Sequence, residues 1–292
     1  MSTPSPLFDA PGPRARRRHA VLTALGAVVA AVLVALALRR MAEAQQLQAS
    51  LWSPFLTAVV WREYLLPGLR GTLQAAALSV ALAGVFGILF GAGRLSPNRS
   101  LRWTCGAVVE FFRAVPVLIM MIFAFTVFAQ RQVFPNELNP LAAVVAGLTL
   151  YNGSVIAELV RSGVVNLPRG QTEAALSIGL TRRQALRSVQ LPQAVTAMLP
   201  ALISQLVVVL KDSALGYGIT YGELLNWSKT LGSAYANTVP AYLVAALLFI
   251  MVNVWLGRGA TAVERWLGRR RGAVSQPVDD GAPALPAAGP TR

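Results

Sequence analysis

Residues 167–195 read LPRGQTEAALSIGLTRRQALRSVQLPQAV and separate two long apolar stretches of the chain. The first part, Gln171 to Ile178, consists of helix-forming residues, and Gly179 follows at a position typical of a helix C-terminus. Thr181 then predicts the cap of a second helix, with Gln184 three residues later as its capping-box partner. We therefore expect a compact helix–turn–helix between the apolar stretches, and Pro192 is expected to end it before the next one begins.

The rest of the chain is unusually apolar. Of its 292 residues 55% are hydrophobic and 13% charged, whereas soluble proteins carry about 25% charged residues. Its mean hydropathy is +0.55. A membrane-crossing helix needs about 20 apolar residues to cover ~30 Å of hydrocarbon at ~1.5 Å per residue. Six runs approach that length: Val21–Leu38, Leu65–Gly91, Gly106–Ala129, Leu141–Val160, Thr196–Leu215 and Val239–Leu256. The sequence predicts an all-α, polytopic membrane protein.

The two ends and the first connection differ in composition from these runs. Residues 1–20 are rich in Pro and Arg, and residues 272–292 in Ala, Pro and Gly, so both are predicted to be disordered. The Arg-rich start resembles a signal peptide, but Arg39 and Arg40 stand where a cleavage site would lie, which favours a retained anchor. Residues 39–64 mix aromatic and polar residues, and they predict either an amphipathic helix on the outer membrane face or a simple linker.

The net charge of +14 comes almost entirely from arginines in the gaps between apolar runs. Binding to nucleic acid would need a basic face interleaved with aromatic residues on a soluble fold, and the sequence has none. Arginines concentrated on one side of the membrane instead predict the orientation. Both termini and the connection 162–195 are expected in the cytoplasm, because basic residues are enriched in cytoplasmic loops. The protein is thus predicted to be a multi-pass protein of the cell membrane.

Catalytic and metal-binding patterns are missing from the sequence. Cys105 and His19 are the only cysteine and histidine, so we expect neither an internal disulfide nor a metal or haem site. No Gly-Lys-Ser or Gly-Lys-Thr triplet occurs, so the chain has no phosphate-binding loop of that type. We therefore expect a protein without a cofactor and without an enzymatic activity of its own.

The connection 162–195 resembles the EAA loop of ABC importer permeases. In that family the loop reads Glu-Ala-Ala, three residues, Gly, nine residues, Ile, any residue and Leu-Pro. Here Val189 replaces the Ile, and the other residues match: Glu173, Ala174, Ala175, Gly179, Leu191 and Pro192. The segments VEFFRAVPVLIM, YNGSVIAELVRSGV and KDSALGYGITYGELL are similar to the polar amino acid branch, and within it to actinobacterial glutamate-uptake permeases. Many relatives have Gly-Thr where Ala114 and Val115 precede Pro116.

This resemblance covers about residues 65–260 and implies the five-helix core of type I importer permeases, with the run 21–38 as an extra helix. It implies that residues 166–193 form a coupling loop through which the motif residues contact an ABC ATPase subunit, the partner that hydrolyses ATP. It further implies a second permease subunit, either a sister or the same chain, and an amino-acid-binding protein outside the cytoplasm. The implied solute is a polar amino acid, with glutamate as the leading candidate, and the remaining partner is membrane lipid.

Polar groups also interrupt two of the apolar runs. Charges inside a membrane span cost roughly 2.5–3.5 kcal/mol each and need partners or a water-lined path. Glu110 and Arg113 are three residues apart and are expected to pair structurally. A path for an amino acid would need groups that complement its ammonium and carboxylate, and two short groups provide them: Asn152, Ser154, Glu158, and Lys211, Asp212, Ser213. The alternative is that these are helix-end groups facing water or lipid headgroups.

Two other classes of protein compete with the importer hypothesis. A transporter driven by an ion gradient would need no ATPase, but such proteins often contain internal repeats, and none is visible here. A membrane scaffold that transports nothing could also present a cytoplasmic loop for docking. Uptake that depends on an ATPase partner separates the importer from both.

Overall fold

The computed structural model describes residues 12–272, and within that range every element is helical. The main helices are α1 Pro13–Glu43, α2 Leu66–Arg94, α3 Arg99–Ala114, α4 Val117–Arg131, α5 Asn139–Val165, α6 Arg169–Ser177, α7 Leu199–Asp212, α8 Leu224–Ala234 and α9 Thr238–Gly272. The all-α prediction is confirmed. The predicted disordered ends lie mostly outside the described residues, although α1 begins at Pro13, inside the first of them. Proline is favoured in the first turn of a helix and arginine is a good helix former, which explains that early start.

Five helical segments are long and apolar enough to cross a membrane: Arg14–Glu43, Ala58–Arg94, Asn139–Val165, Leu199–Ile219 and Thr238–Gly259. The predicted span over Gly106–Ala129 is not one continuous helix. In its place α3 and α4 meet at an angle of 100°. The cause is Pro116, which disfavours helical geometry at the preceding residue, and Val115 is extended with φ −84° and ψ 129°. With this bent pair, the described residues contain up to six spans.

The centre of the bundle is the contact between α2 and α5. A Cβ on Gly91 would lie 2.9 Å from the carbonyl oxygen of Ala157 and 3.0 Å from Cβ of Val160. Gly87 faces Ile156 in the same way, and Gly153 of α5 faces Phe86. The two helices therefore approach each other almost backbone to backbone, as small residues permit between helices in membranes. The adjoining hydrophobic core adds side chains of α4, α7 and the segment after α7.

A second hydrophobic cluster joins the connection after α1 to the last two helices. Phe55 and Leu65 are buried against Leu224 and Leu231 of α8, and Ala241 of α9 belongs to the same cluster. The connection contains the short helical segments Ala49–Trp52, Ser53–Leu56 and Ala58–Val60. It therefore packs on the protein itself, which the sequence alone did not anticipate.

Helix α1 stands apart from both clusters. None of its residues whose exposure is described is buried, and its most apolar part is 0% buried inside the structure. Its side chains include long exposed aliphatic residues such as Leu33, which is 61% exposed. Lipid or another protein must therefore cover this helix, because an apolar surface of this length is unfavourable in water.

The tight α2–α5 contact makes a testable prediction. Gly91→Val places a branched side chain against the Ala157 carbonyl, which cannot move without shifting α5, so we expect a loss of about 1–3 kcal/mol of stability. The matched control is Gly84→Val on the same helix, where a Cβ meets nothing within 4 Å. Thermal unfolding in detergent should show a lower midpoint for the Gly91 variant only. Equal midpoints would contradict the backbone-to-backbone packing.

Candidate functional site

The connection between α5 and α7 folds as its sequence predicts. Gly179 ends the first helix with φ +86°, a left-handed conformation that favours glycine. The amide of Leu180 donates to the carbonyl of Ala175 at 3.2 Å, which closes this helix end. Thr181 and Gln184 then form the expected capping box of the next helix. The helix–turn–helix prediction is therefore confirmed at the level of individual hydrogen bonds.

The prediction for Pro192 is wrong. A π-helical turn over Leu186–Gln190 leads directly into the helix Leu191–Ala197, so the chain stays helical through the proline. Proline lacks the N–H that a regular helical hydrogen bond would use, and the π-helical turn directly before it departs from the regular hydrogen-bond pattern at this point.

Side-chain contacts tie the two halves of the connection together. The amide Nε2 of Gln190 donates to Oγ1 of Thr172 at 2.5 Å, and Gln193 Nε2 donates to Gln171 Oε1 at 3.1 Å. Ala185, in the second half, is buried. The connection therefore forms one compact body, which we call the loop knob, residues 166–193.

The motif residues divide between the inside and the outside of the loop knob. Ala175 is only 3% exposed, and Leu191 is half-buried. Glu173, Ala174, Gly179 and Pro192 are exposed, and nearby Ile178 is 78% exposed. In the described part of the chain the Glu173 carboxylate has no hydrogen-bond or ion-pair partner. The loop knob thus presents one free carboxylate beside small and apolar side chains, a surface suited to close contact with another protein.

The loop knob lies at one end of the bundle, which we call the loop end. A group of paired charges links three helices there. Glu158 of α5 lies at its centre. One of its oxygens is 2.7 Å from Arg94 at the end of α2, and the other is 2.6 Å from Arg161 one turn further along α5. Glu110 of α3 lies 3.1 Å from Arg94 and 3.4 Å from Arg113, so the expected Glu110–Arg113 pair is confirmed. The side chain of Arg94 is 13% exposed, so within this group its ion pairs are the ones most shielded from solvent.

Asn152 and Ser154 lie near the middle of α5, and both are fully buried. Asn152 donates its amide to the Leu148 carbonyl at 3.0 Å, but its Oδ1 has no partner among the described residues, nor has the hydroxyl of Ser154. Residues two apart on a helix point about 200° apart, so the two side chains face different sides of α5. They bring unsatisfied polar atoms into the interior, where an unpaired polar group costs roughly 1–3 kcal/mol.

Lys211, Asp212 and Ser213 mark the junction between α7 and the 3₁₀ segment Ser213–Ile219. Ser213 is buried, and its hydroxyl donates to the Leu210 carbonyl at 2.7 Å. Lys211 is exposed and Asp212 half-buried. Neither charged group has a hydrogen-bond or ion-pair partner in the range 12–272. Two unpaired charges inside an apolar segment need water, a solute or another subunit as their partner.

The opposite end of the bundle, which we call the far end, holds polar residues that the sequence interpretation passed over. Arg70 and Gln74 lie one turn apart on α2, inside the candidate span Ala58–Arg94, and both are exposed. They line a cavity of about 480 Å³ together with Arg62, Glu137 and Tyr221. Arg70 has no ion pair among the described residues. The signal was available in the sequence, because Arg70 is a charge within an apolar run.

A buried carboxyl stabilises the chain beside this cavity. Glu223 is fully buried and accepts hydrogen bonds from the amides of Leu225 and Asn226 at 2.7 and 2.6 Å, so it caps α8. Burial raises the pKa of Glu223 to about 7, against the opposing effect of these two hydrogen bonds. The hydroxyl of Tyr221 donates to the Gly71 carbonyl at 2.8 Å and joins this segment to α2.

The chain is similar to known membrane transport proteins. Residues 83–269 match the family described as the inner membrane component of binding-protein-dependent transport systems. The chain belongs to this family. The match begins inside α2, so α1 lies outside it.

Individual relatives and solved structures agree with this assignment. The permease is 52% identical over 228 residues to the glutamate transport system permease protein GluD of Corynebacterium glutamicum, covering 77% of this chain and 84% of that protein. It is 31% identical to the probable glutamine permease GlnP of Bacillus subtilis, covering 69% and 92%. A crystal structure of an amino acid ABC transporter superposes with a TM-score of 0.64 at 25% identity, covering 72% and 97%. The methionine transporter MetNI shares the fold, with a TM-score of 0.60 at 22% identity, covering 69% and 94%. The predicted five-helix importer-permease fold is confirmed.

The ion pairs at the loop end predict that the same glutamate-to-glutamine change costs more stability at Glu158 than at Glu110. Glu158→Gln leaves Arg94 and Arg161 without their shared carboxylate, and we expect a loss of roughly 1–3 kcal/mol of stability because both cations are partly shielded from water. The matched control is Glu110→Gln, where the side chain is 59% exposed and the loss should be small. Thermal unfolding of the purified variants measures both. A larger loss in the Glu110 variant would show that Glu158 is not the centre of the group.

Proposed function

We propose that this permease is the membrane-spanning subunit of an ABC importer that carries a polar amino acid, with glutamate as the leading candidate, into the cytoplasm. The observation that carries the proposal is the loop knob, in which the Glu173 to Pro192 motif is folded as a compact, exposed body at one end of the bundle. The 52% identity to a glutamate permease supports the choice of solute. The permease supplies the path, and ATP hydrolysis belongs to a separate subunit.

The proposed assembly has three further protein components. An ABC ATPase contacts the exposed residues of the loop knob, namely Glu173, Ala174, Gly179 and Pro192, while the motif residues Ala175 and Leu191 are buried and half-buried. A second permease subunit, a sister chain or a second copy, completes the path, and an external binding protein delivers the amino acid.

The arginine distribution supports an orientation with both termini and the loop end in the cytoplasm. The far end then faces outwards.

The proposed path follows the unsatisfied polar groups from the far end towards the middle of the bundle. Arg70 and Gln74 line its outer opening. Lys211 and Asp212 follow on α7, with Ser213 beside them, and Asn152 and Ser154 contribute the polar atoms of α5. An amino acid supplies the groups these residues lack, a carboxylate for the cations and an ammonium for Asp212. At Glu158 the solute would compete with two arginines, Arg94 and Arg161.

The coupling role of the loop knob is tested by the same glycine-to-valine change at two positions, and by a charge reversal at a third. Gly179→Val strains a backbone with φ +86°, at a cost of about 1–3 kcal/mol, and shifts the second half of the loop knob. We expect uptake by the reconstituted complex, and its ATPase binding, to fall at least tenfold. Gly170→Val is the control, since Gly170 is exposed in the same loop knob and a Cβ there meets nothing within 4 Å. Glu173→Lys should weaken ATPase binding without strain. Normal ATP-dependent uptake in both Gly179→Val and Glu173→Lys would disprove the coupling role.

The path is tested through the two lysines of the chain. Lys211→Met removes an unpaired cation from the proposed path, and we expect glutamate uptake to fall by an order of magnitude at normal expression. Lys229→Met is the control, because Lys229 lies at the far end with its ammonium over the ring of Tyr217, 5.2 Å from the ring centre. If glutamate transport falls more than glutamine transport, Lys211 binds the side-chain carboxylate of the solute. If both fall equally, Lys211 binds the α-carboxylate, which the two amino acids share. Unchanged uptake of both would remove Lys211 from the path.

A further inference from the structure

A basic cavity lies at the loop end, between the turn that joins α2 to α3, the end of α5 and the inner side of the loop knob. Its volume is about 630 Å³, and no acidic side chain of the described residues lines it. Four arginines do: Arg94, Arg102, Arg161 and Arg182. A second cavity of about 640 Å³ shares the first three of them and continues along α3 past Trp103, Gly106 and Ala107 to Glu110. The two cavities are therefore neighbours that share one basic wall.

The charges of this wall are only partly balanced. Arg94 and Arg161 share the carboxylate of Glu158, and Arg94 also contacts Glu110. Arg102 donates to the carbonyl of Ser96 at 3.0 Å but forms no ion pair with a carboxylate of residues 12–272. Arg182 has no ion pair in the part of the chain that the structure describes. Two guanidinium groups that line one cavity are thus left without an anionic partner among the described residues.

The chemistry of the lining suits a phosphate group. Guanidinium groups bind phosphate oxygens through paired hydrogen bonds, and a cavity walled by arginines attracts the anion further. The side chains of Ser96, Thr172 and Gln190 add hydroxyl and amide groups to the same lining. A phosphate could come from a phospholipid headgroup or from a soluble phosphate compound.

The surroundings favour the lipid. On α3, two large apolar side chains near the second cavity are exposed, Trp103 at 67% and Phe111 at 61%. Tryptophan is enriched where protein meets the membrane interface. Gly106 and Ala107 leave a smooth, apolar wall beside the arginines, where a glycerol backbone and the start of an acyl chain would fit. Basic pockets between membrane helices on the cytoplasmic side are known to bind anionic headgroups.

We propose that this pair of cavities binds an anionic phospholipid, with its phosphate between Arg102 and Arg182 and its acyl chains along α3. Because Thr172, Leu176 and Arg182 belong to the loop knob, the lipid bridges the ends of the spans and the body that contacts the ATPase. Anionic lipid then holds the loop knob in place and supports coupling. The cytoplasmic side of the site rests on the proposed orientation, whereas lipid binding itself is independent of the transport function.

The first experiment measures binding without transport. The permease is purified from membranes that contain phosphatidylglycerol, and native mass spectrometry counts the lipid retained. Arg102→Gln combined with Arg182→Gln should reduce retained phosphatidylglycerol more than tenfold, since each basic residue near an anionic lipid contributes about fivefold to binding. Arg99→Gln is the matched control, an exposed arginine one turn earlier on α3 that lines neither cavity. Equal retention by the double variant and the wild type would overturn the proposal.

The second experiment identifies the source of the phosphate and its effect. The complete complex is reconstituted in phosphatidylcholine vesicles with and without phosphatidylglycerol, and ATP-driven uptake is measured. We expect phosphatidylglycerol to raise wild-type uptake severalfold and to leave the double variant at the low level. Inorganic phosphate added to phosphatidylcholine vesicles should have no effect, and full restoration by phosphate would overturn the assignment to a lipid. Total loss of uptake in every lipid with normal phosphatidylglycerol retention would count against the proposed function and not against the site.

Discussion

The close contact of α2 and α5 is the packing interaction on which the other features depend. Glycines at Gly87, Gly91 and Gly153 let the two backbones approach, and this brings the end of α2 beside Glu158 and Arg161 of α5. Lipid offers no hydrophobic driving force between helices, so fit and polar contacts must stabilise the bundle. The steric fit of the glycines fixes the relative position of the two helices, and the ion pair of Arg94 with Glu158 joins their ends.

The sequence predicted those features that depend on nearby residues. Apolar runs predicted the membrane helices, and the residue order around Gly179 and Thr181 predicted the turn and cap of the loop knob, because their hydrogen bonds join residues only a few positions apart. The bend at Pro116 follows from the effect of proline on the preceding residue, whereas the length of the apolar run predicted only a span.

Features that depend on distant residues could not be predicted in the same way. Glu158 and Arg161 are three residues apart, so their contact is local, but nothing in the local sequence indicates that Arg94 of another helix holds the other carboxylate oxygen. The packing of Phe55 on α8 has the same cause, since it joins segments far apart in the chain. Arg70 is a different case: as a charge within an apolar run it is visible in the sequence, whereas the cavity that it lines is not.

Helix α1 differs from the other membrane helices because its position depends on the bilayer and not on packing within the described structure. Its apolar run, Val21–Leu38, is about 27 Å long at ~1.5 Å per residue, close to the ~30 Å thickness of a bilayer's hydrocarbon layer. Arginines stand at both ends of that run, and Arg39 and Arg40 are paired with Glu43 beyond it. The run is slightly shorter than that layer, so where lipid covers this helix the mismatch is accommodated by local thinning of the bilayer or by arginine side chains that reach the interface. Because none of its residues whose exposure is described is buried, this adjustment does not require the packed core to move.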